Sequence, residues 1–545
     1  MNEPSSQTEQ GLSELPQQAE REAAHRKFRR DLLTKGTVAL FVVVLLYSQQ
    51  IGIFFDGDNR AFMLWEFQDN LAIVLGIVLL AAAATAVSLS LRAIKWRLPA
   101  HLFNHLFLYV LMLGLLTLQP FDPDEPDLVP AWNWRPAAHT LALVAICVSL
   151  VWPRFRLVQY AKTFCLIFSP FVAILFFQTL TLEPCYTGEE QQPDFAVPTA
   201  VAGNDPRPPE ETAGGIYYFV FDAWSYVRST SNGRFLPELV NLRQLAAQSV
   251  LCLEGRSPDD NTLGSLPAIV HQAETNGKSW QPFGPGEPPA DTETIFQRAH
   301  RHGHQTALVG FYMPYRHMLG DQLDYCFSVT HDPKGSCLLE RIAISAERNL
   351  EYLEDPFCQS LYRYIDPRLF GRHWHAINQR TLAETLALIE NWPHNTLALF
   401  HWPCPHWPFV LNPDGTYYEY PNFGPDGEIP SDPEGYQRQL VYLDFLVGQI
   451  VQTLKSAGKF DNALLVLTAD HAATAPGWHD EQMQHVPLVI KAPGQTSPVV
   501  VDSQLANNRL GPLIDSALAG TLNVETLPRL LQGASADSQN DSTPD

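Results

Sequence analysis

The sequence predicts an α/β domain with a central, mostly parallel sheet, preceded by a bundle of five transmembrane helices. Three observations predict this. Five long apolar runs lie before residue 183, the whole of the net charge lies after them, and two continuous apolar runs in the later part each end in an aspartate. Residues 1–182 hold 14 of the 36 basic and 14 of the 58 acidic side chains, so they are neutral. The whole net charge of −22 therefore falls in the C-terminal two-thirds. A chain this acidic excludes nucleic acid as a partner.

The apolar runs are 37–55, 71–91, 102–121, 138–152 and 163–182. Most reach the roughly 20 residues that a helix needs to cross a bilayer core; the fourth is short. Gln49 and Gln50 in the first run would be costly against lipid, so they are expected to face a neighbouring helix. A basic leader over 1–36 carries Arg21, Arg26, Lys27, Arg29, Arg30 and Lys35. The second loop has Arg92, Lys95 and Arg97, and the fourth has Arg154, Arg156 and Lys162. The loops between are acidic, with Asp56, Asp58, Glu66 and Asp69 in the first and Asp122, Asp124, Glu125 and Asp127 in the third. Basic loops stay inside, so residues 37–182 form a five-helix membrane domain with the N-terminus in and the rest of the chain on the outer face. The polar leader makes the first run a signal anchor rather than a cleaved signal peptide.

Residues 183–214, rich in Pro, Glu, Thr and Gly, read as a linker, and 215–500 as the outer domain. Residues 501–545 read as a C-terminal helix and a disordered tail, the last 13 being rich in Ser, Asp, Asn and Gln. Six cysteines lie outside the membrane runs, at 185, 252, 326, 337, 358 and 404. An even number in an oxidising compartment permits disulfides, Cys326 and Cys337 being nearest in sequence, and six reduced thiols remain the alternative.

In the outer domain, 215–221 (GIYYFVF) is an apolar and aromatic run of the kind buried on both faces of a parallel sheet, and Asp222 follows it directly. A second unit repeats the pattern. Leu443, Leu446, Val447, Ile450, Val451 and Leu454 recur at helical spacing, Gly458 ends the helix, and the strand 463–468 (ALLVLT) leads to Asp470 and His471. Residues 306–311 and 396–400 are further strands. Open α/β sheets hold their ligands at the carboxyl ends of the strands, which is where both aspartates stand. Fourteen of the 18 histidines also belong to this half, including His401 and His406 in His401-Trp-Pro-Cys-Pro-His406-Trp-Pro, then His471, His479 and His485. Histidines and carboxylates gathered at strand ends point to a metal and a phosphate or sulfate.

The order of these motifs resembles the sulfatase and alkaline phosphatase superfamily from about residue 215 to 493. Residues 235–253, with Leu236-Pro237 and 242–246, resemble the family's helix after the first metal strand. The segment Asn261-Thr262-Leu-Gly-Ser265-Leu-Pro267 resembles the nucleophile segment of its lipid-dependent transferases. LLVLTADH (464–471) resembles its late metal motif, and Gln484-His485-Val486-Pro487 the strand beyond. The resemblance implies that Asp222, Asp470 and His471 are ligands of one divalent cation, zinc or manganese. It makes Thr262 the nucleophile and a fourth ligand, with Ser265 as the alternative hydroxyl. His406, His479, His317, His401 and His485, with Arg316 of the loop Arg316-His317-Met-Leu-Gly, would bind the oxygens of the transferred group. An unaided threonine hydroxyl is a poor nucleophile at neutral pH, and such a cation lowers its pKa.

Two departures narrow the expectation. Thr262 is followed by Leu, Gly and Ser without the arginine of the sulfatase "C/S-x-P-x-R" segment, and Asp222-Ala223 replaces the usual aspartate pair. Classical sulfate-ester hydrolysis through formylglycine is thereby disfavoured. The architecture is similar to lipoteichoic acid synthases and lipid A phosphoethanolamine transferases, although here Asp222 replaces the glutamate common at that position. That resemblance implies a membrane lipid as phosphate-ester donor, a glycan or lipid hydroxyl as acceptor, and the outer face of the cytoplasmic membrane as the place of reaction. A sulfatase-like hydrolase of anionic esters and a silent lipid-binding regulator of the same fold are the competing expectations.

Overall fold

The computed structural model describes residues 10–55, 65–94, 97–116, 156–182, 214–274, 292–329, 337–352, 356–418 and 431–540, with a few isolated positions besides. Two compact units divide the chain: one of residues 1–56, 66–184 and 334–362, the other of 57–65, 185–333 and 363–545.

In the first unit, helices α1 (Gln10–Phe55), α2 (Phe67–Ala93), α3 (Arg97–Leu116) and α4 (Leu157–Leu180) follow four of the five apolar runs. Among the described residues, Arg21–Ser48, Phe67–Ala93 and Leu157–Leu180 are long and apolar enough to cross a membrane, which marks this unit as a membrane anchor. The buried faces of α1 and α2 are lined by Val, Ile and Ala, while Leu79, Leu80, Ile167, Phe171 and Phe177 stand exposed, as suits helices solvated by lipid. Most of the fourth run lies outside the described residues, and so does the linker 183–214 except for Gly214.

The second unit is built on an eight-stranded sheet. In chain order its strands are β1 (Ile216–Phe221), β2 (Val250–Arg256), β3 (Gln305–Phe311), β4 (Tyr325–Val329), β5 (Thr396–Trp402), β6 (Leu464–Ala469), β7 (Leu488–Lys491) and β8 (Val499–Ala506). They lie side by side in the order β8-β2-β7-β6-β1-β5-β3-β4. Only β7 pairs antiparallel, with β2 and β6. All six residues of β1 and of β6 are buried, because apolar clusters cover both faces of the sheet. Tyr217, Phe219 and Phe221 point to one cluster, and Ile216, Tyr218 and Val220 to the other. Helices α5 (Val240–Ala246) and α6 (Thr262–His271) flank β2 in sequence.

Three elements depart from expectation. Helix α7 (Leu338–Tyr352), inserted between β4 and β5, belongs to the first unit and packs on α1 and α2, although its sequence lies inside the outer domain. Arg341 on α7, about 10% exposed, reaches Glu66 Oε2 at 2.9 Å and Asp69 Oδ1 at 2.7 Å. The partner awaiting Gln50 also proves to be on α7, where Ser345 Oγ donates to its Oε1 at 3.3 Å. After α8 (Pro356–Asn391) and α9 (Pro433–Ser456), the sheet takes up β8 from beyond residue 500, where leucines of α10 (Gly511–Leu518) join the core. Helix α11 (Leu527–Asn540) runs into the polar tail expected to be disordered, because Leu527, Leu531 and Ala534 bury one stripe in the same cluster. Finally, no disulfide joins Cys147, Cys165, Cys252, Cys326, Cys337 or Cys404; Cys252 and Cys404 are wholly buried among apolar side chains. Cys185 lies outside the described residues, as does the side chain of Cys358.

Candidate active site

Strands β6, β1 and β5 are adjacent and parallel at the centre of the sheet. Phe221 pairs with Ala469 on one side and Trp402 on the other, so Asp222 and Asp470 leave the sheet at the same level. The backbone turns sharply there. Ala223 adopts φ of 62°, a left-handed conformation that costs a non-glycine residue about 1 kcal/mol or more. The turn is held by Tyr436 of α9, whose hydroxyl donates to the Ala223 carbonyl at 2.8 Å and accepts from the Ser225 N–H at 3.0 Å. Nothing in the sequence marked Tyr436 beyond its place on a helix.

Asp470 is fully buried and its two oxygens divide their work. Oδ1 accepts the N–H of His471 at 2.9 Å and of Ala223 at 3.3 Å, while Oδ2 accepts the Thr262 hydroxyl at 2.7 Å. Thr262 opens α6, where Asn261 caps the helix by accepting from the Gly264 N–H. Of the two candidate hydroxyls, Thr262 is therefore the one brought to Asp470. Ser265 instead bonds the backbone of Asp259, accepting from its N–H and donating to its carbonyl.

His471 donates Nδ1–H to the Ala472 carbonyl at 2.8 Å, which turns Nε2 toward the carboxylates. That nitrogen lies 3.2 Å from Asp222 Oδ1 and 3.7 Å from Asp470 Oδ2. One atom each from Asp222, Asp470 and His471 falls within 4.8 Å of the others. Burial disfavours a charged His471, yet Asp470 and Asp222 prevail and raise it to about 10. Burial would likewise raise the Asp222 carboxyl, but His406 and His471 beside it hold it below the usual carboxylate range. A site that draws protons so strongly onto an imidazole is built for positive charge. Asp222 Oδ1 and His401 Nε2 are moreover buried without an aligned hydrogen-bond partner. Two carboxylates, an imidazole and a hydroxyl fit a divalent cation, and an oxygen-rich set with one nitrogen suits zinc or manganese.

His401 lies beneath this cluster, with no exposure, its Nε2 4.0 Å from Asp470 Oδ2. The Tyr315 hydroxyl meets its Nδ1 at 2.6 Å, and the Phe311 ring packs 4.6 Å from its own. Sequence reasoning singled out Arg316 and His317 but passed over Tyr315 beside them. His406 presents its ring to His471, centroids 6.3 Å apart, and Gln439 of α9 holds its carbonyl at 2.9 Å.

A family model for sulfatases matches residues 216–518, more than half of the chain. The chain belongs to the sulfatase family. Solved structures of low identity and low TM-score are similar to parts of this sulfatase-family chain. One is Ps i-CgsB in complex with k-i-k-neocarrahexaose (16% identity, TM-score 0.39, covering 58% of this chain and 73% of that one). Another is the phosphonate monoester hydrolase of Agrobacterium radiobacter (14%, 0.36, 56% and 74%). A third is an alkaline phosphatase superfamily protein from Vibrio parahaemolyticus (14%, 0.36, 57% and 67%). No curated protein matches the chain.

Other expected members of the sulfatase site are engaged elsewhere. Arg316 donates to the Leu323 carbonyl at 2.7 Å and so braces its own loop. His485 stacks on Tyr226 with centroids 4.4 Å apart, and its Nε2 meets the Leu253 carbonyl at 2.9 Å, tying the segment before β7 to β2. His479 is exposed on a two-residue ribbon, its Nδ1 against the Asp480 carbonyl. The same ribbon is anchored by Arg228, which pairs with Asp480 at 2.6 Å and lies over the Trp478 ring. The His317 side chain lies outside the described residues.

Proposed function

We propose that this sulfatase-family protein is a membrane-anchored metalloenzyme that cleaves or transfers a phosphate ester, with Thr262 as nucleophile. The observation that carries this reading is the Thr262 hydroxyl, 2.7 Å from Asp470 Oδ2, at the mouth of a cluster of two carboxylates and an imidazole. Asp222, Asp470, His471 and Thr262 would hold one cation, zinc or manganese. When bound, such an ion supplies the positive field that lowers a hydroxyl pKa and offsets charge on the ester oxygens.

The residues themselves supply the rest. Thr262 Oγ1 forms a bond to phosphorus as the ester oxygen leaves, and the threonine proton passes to Asp470 Oδ2. The start of α6 directs the positive end of its helix dipole at the same place. His406 stands on the side of His471 and Asp222, where it can return a proton to the leaving oxygen. Attack by water or by an acceptor hydroxyl then frees Thr262 with the opposite proton traffic. The membrane unit makes a lipid headgroup the natural donor and a glycan or lipid hydroxyl the acceptor. With five crossings and the basic loops inside, this domain would stand on the outer face of a cytoplasmic membrane.

Purified full-length protein in detergent tests the reading. We expect about one equivalent of metal and turnover of a phosphodiester in preference to a sulfate ester, with Thr262→Ala keeping its fold and losing turnover. Full activity in that variant would remove the nucleophile assignment, and preference for sulfate esters would replace the phosphate reading by the sulfatase-like hydrolase.

A further inference from the structure

The described anchor helices converge at their basic end on a feature that anchoring alone does not require. Asp31 and Lys35 are one turn apart on α1, as are Ser88 and Arg92 on α2, and these two faces meet. Lys35 Nζ donates to the Ser88 carbonyl at 2.9 Å, and Arg92 pairs with Asp31. From the other side of the bundle, Lys162 on α4 reaches Asn104 Oδ1 on α3 at 3.1 Å. Lys35, Arg92 and Lys162 are near enough to repel one another. Lys35 and Lys162 are half-buried.

Lysine stems are long, and at the end of a membrane helix they ordinarily swing outward to water. Here Lys35 and Lys162 turn inward onto oxygens of neighbouring helices, the Ser88 carbonyl and Asn104 Oδ1, and Asp31, which also attracts Lys35, is paired with Arg92. Convergent, half-buried like charges raise the energy of the protein alone and lower it once an anion sits among them. Around them Leu32, Leu33, Ile94, Leu102 and Leu106 are exposed, an apolar rim that suits acyl chains and would be poorly placed around a site for a soluble ion.

We propose that Lys35, Arg92 and Lys162 clamp the phosphate of an anionic phospholipid on the basic side of the membrane. Ammonium and guanidinium groups donate to phosphate oxygens, and the rim holds the acyl chains. The clamp rests on the membrane reading above and is independent of the ester chemistry at Thr262.

The test uses full-length protein. Alkaline carbonate washing of membranes comes first, and release of the chain would overturn the membrane reading and the clamp with it. For retained protein, binding of phosphatidylglycerol, phosphatidylcholine and inorganic phosphate is measured in detergent by thermal shift and by mass spectrometry of co-purified lipid. We expect phosphatidylglycerol to bind preferentially, with affinity falling roughly thirtyfold in the Lys35→Gln/Lys162→Gln double variant and kept in Lys35→Arg/Lys162→Arg. Turnover of a soluble phosphodiester, equal in all three proteins, certifies the fold. Equal binding of phosphatidylcholine, or undiminished phosphatidylglycerol binding in the glutamine variant, overturns the clamp alone. Inorganic phosphate competing at micromolar concentration would overturn the lipid assignment in favour of a soluble anion.

Discussion

Two pairs of carboxylates, one in each unit, show how a protein treats concentrated negative charge. Glu66 and Asp69 stand at the N-terminus of α2, where the helix dipole favours them, and they close on the guanidinium of Arg341. The fork of that side chain matches two carboxylates, and its charge is permanent. Asp222 and Asp470 are as deeply buried, yet face imidazoles, a hydroxyl and two backbone N–H groups instead of a guanidinium. The first pair is bridged by a permanent cation of the chain and so is structural. On the function proposed above, the second leaves room for a cation that can come and go.

The comparison can be broken most forcefully at Asp470. In Asp470→Asn the volume is kept, but one negative charge and the acceptor of the Thr262 proton are lost. Turnover should fall by at least about a thousandfold, the scale of a catalytic cation's contribution, with bound metal falling in parallel. Activity within tenfold of wild type would mean that the two pairs are not different in kind. At the other pair the expected effect is on stability. Arg341→Ala takes the bridging guanidinium from two nearly buried carboxylates, which costs about 3–5 kcal/mol, read as a lowered unfolding midpoint of full-length protein in detergent. Removing the carboxylates as well, in a Glu66→Gln/Asp69→Asn/Arg341→Met variant, should recover most of that loss. The same rescue is not expected at Asp222 and Asp470. A smaller effect belongs to Gly264, where an added Cβ would lie 2.1 Å from Asp259 Oδ2. Asp259 organises the loop before Thr262 by accepting from the Asp260 N–H and from Asn261 Nδ2, both at 2.7 Å. Gly264→Ala should therefore lower kcat by about tenfold through misplaced threonine, with bound metal unchanged.

What the sequence disclosed follows the range of the interactions involved. The strands before Asp222 and Asp470 were legible because burial on both faces writes a continuous apolar run, and their aspartates because the runs stop at them. Thr262 was legible from its segment, and its preference over Ser265 became physical only when Asn261 capped α6 and turned the threonine to Asp470. Helix α7 was not legible as part of the first unit. Its amphipathic pattern is that of any surface helix, and Arg341 finds Asp69 across 272 positions. The partners of Arg316 and His485 were not legible for the same reason: a basic side chain near a motif says nothing about which distant carbonyl it will satisfy. Tyr315 and Tyr436 hold site residues through hydroxyls that no periodicity reveals.

The gentlest test concerns the opposite end of β6, where the sheet carries buried cations instead of carboxylates. Lys459 precedes the strand and donates to the carbonyls of Ile389 and Trp392, which end α8. Lys491, paired with Leu465 at the start of β6, donates to the Phe460 carbonyl at 3.0 Å. Burial lowers both to about 8. An unfolded lysine titrates near 10.4, so above pH 8 the folded protein releases protons that the unfolded chain keeps, and stability rises with pH. His471, raised to about 10, acts in the opposite sense above about pH 6.5, the buried Cys252 and Cys404 thiols do so once unfolded thiols ionise near pH 8.5, and Tyr217 and Tyr218 do so once unfolded tyrosines ionise near pH 10. The contribution of each lysine is therefore read as a difference between proteins, over about pH 8–9.5 and with a slope of less than one proton. Lys459→Met should lower the pH slope of the urea midpoint of the full-length protein by that amount relative to wild type. An unchanged slope would mean that the carbonyls around Lys459 repay its desolvation in full, making this end of the strand as completely matched as Arg341 makes the first pair of carboxylates.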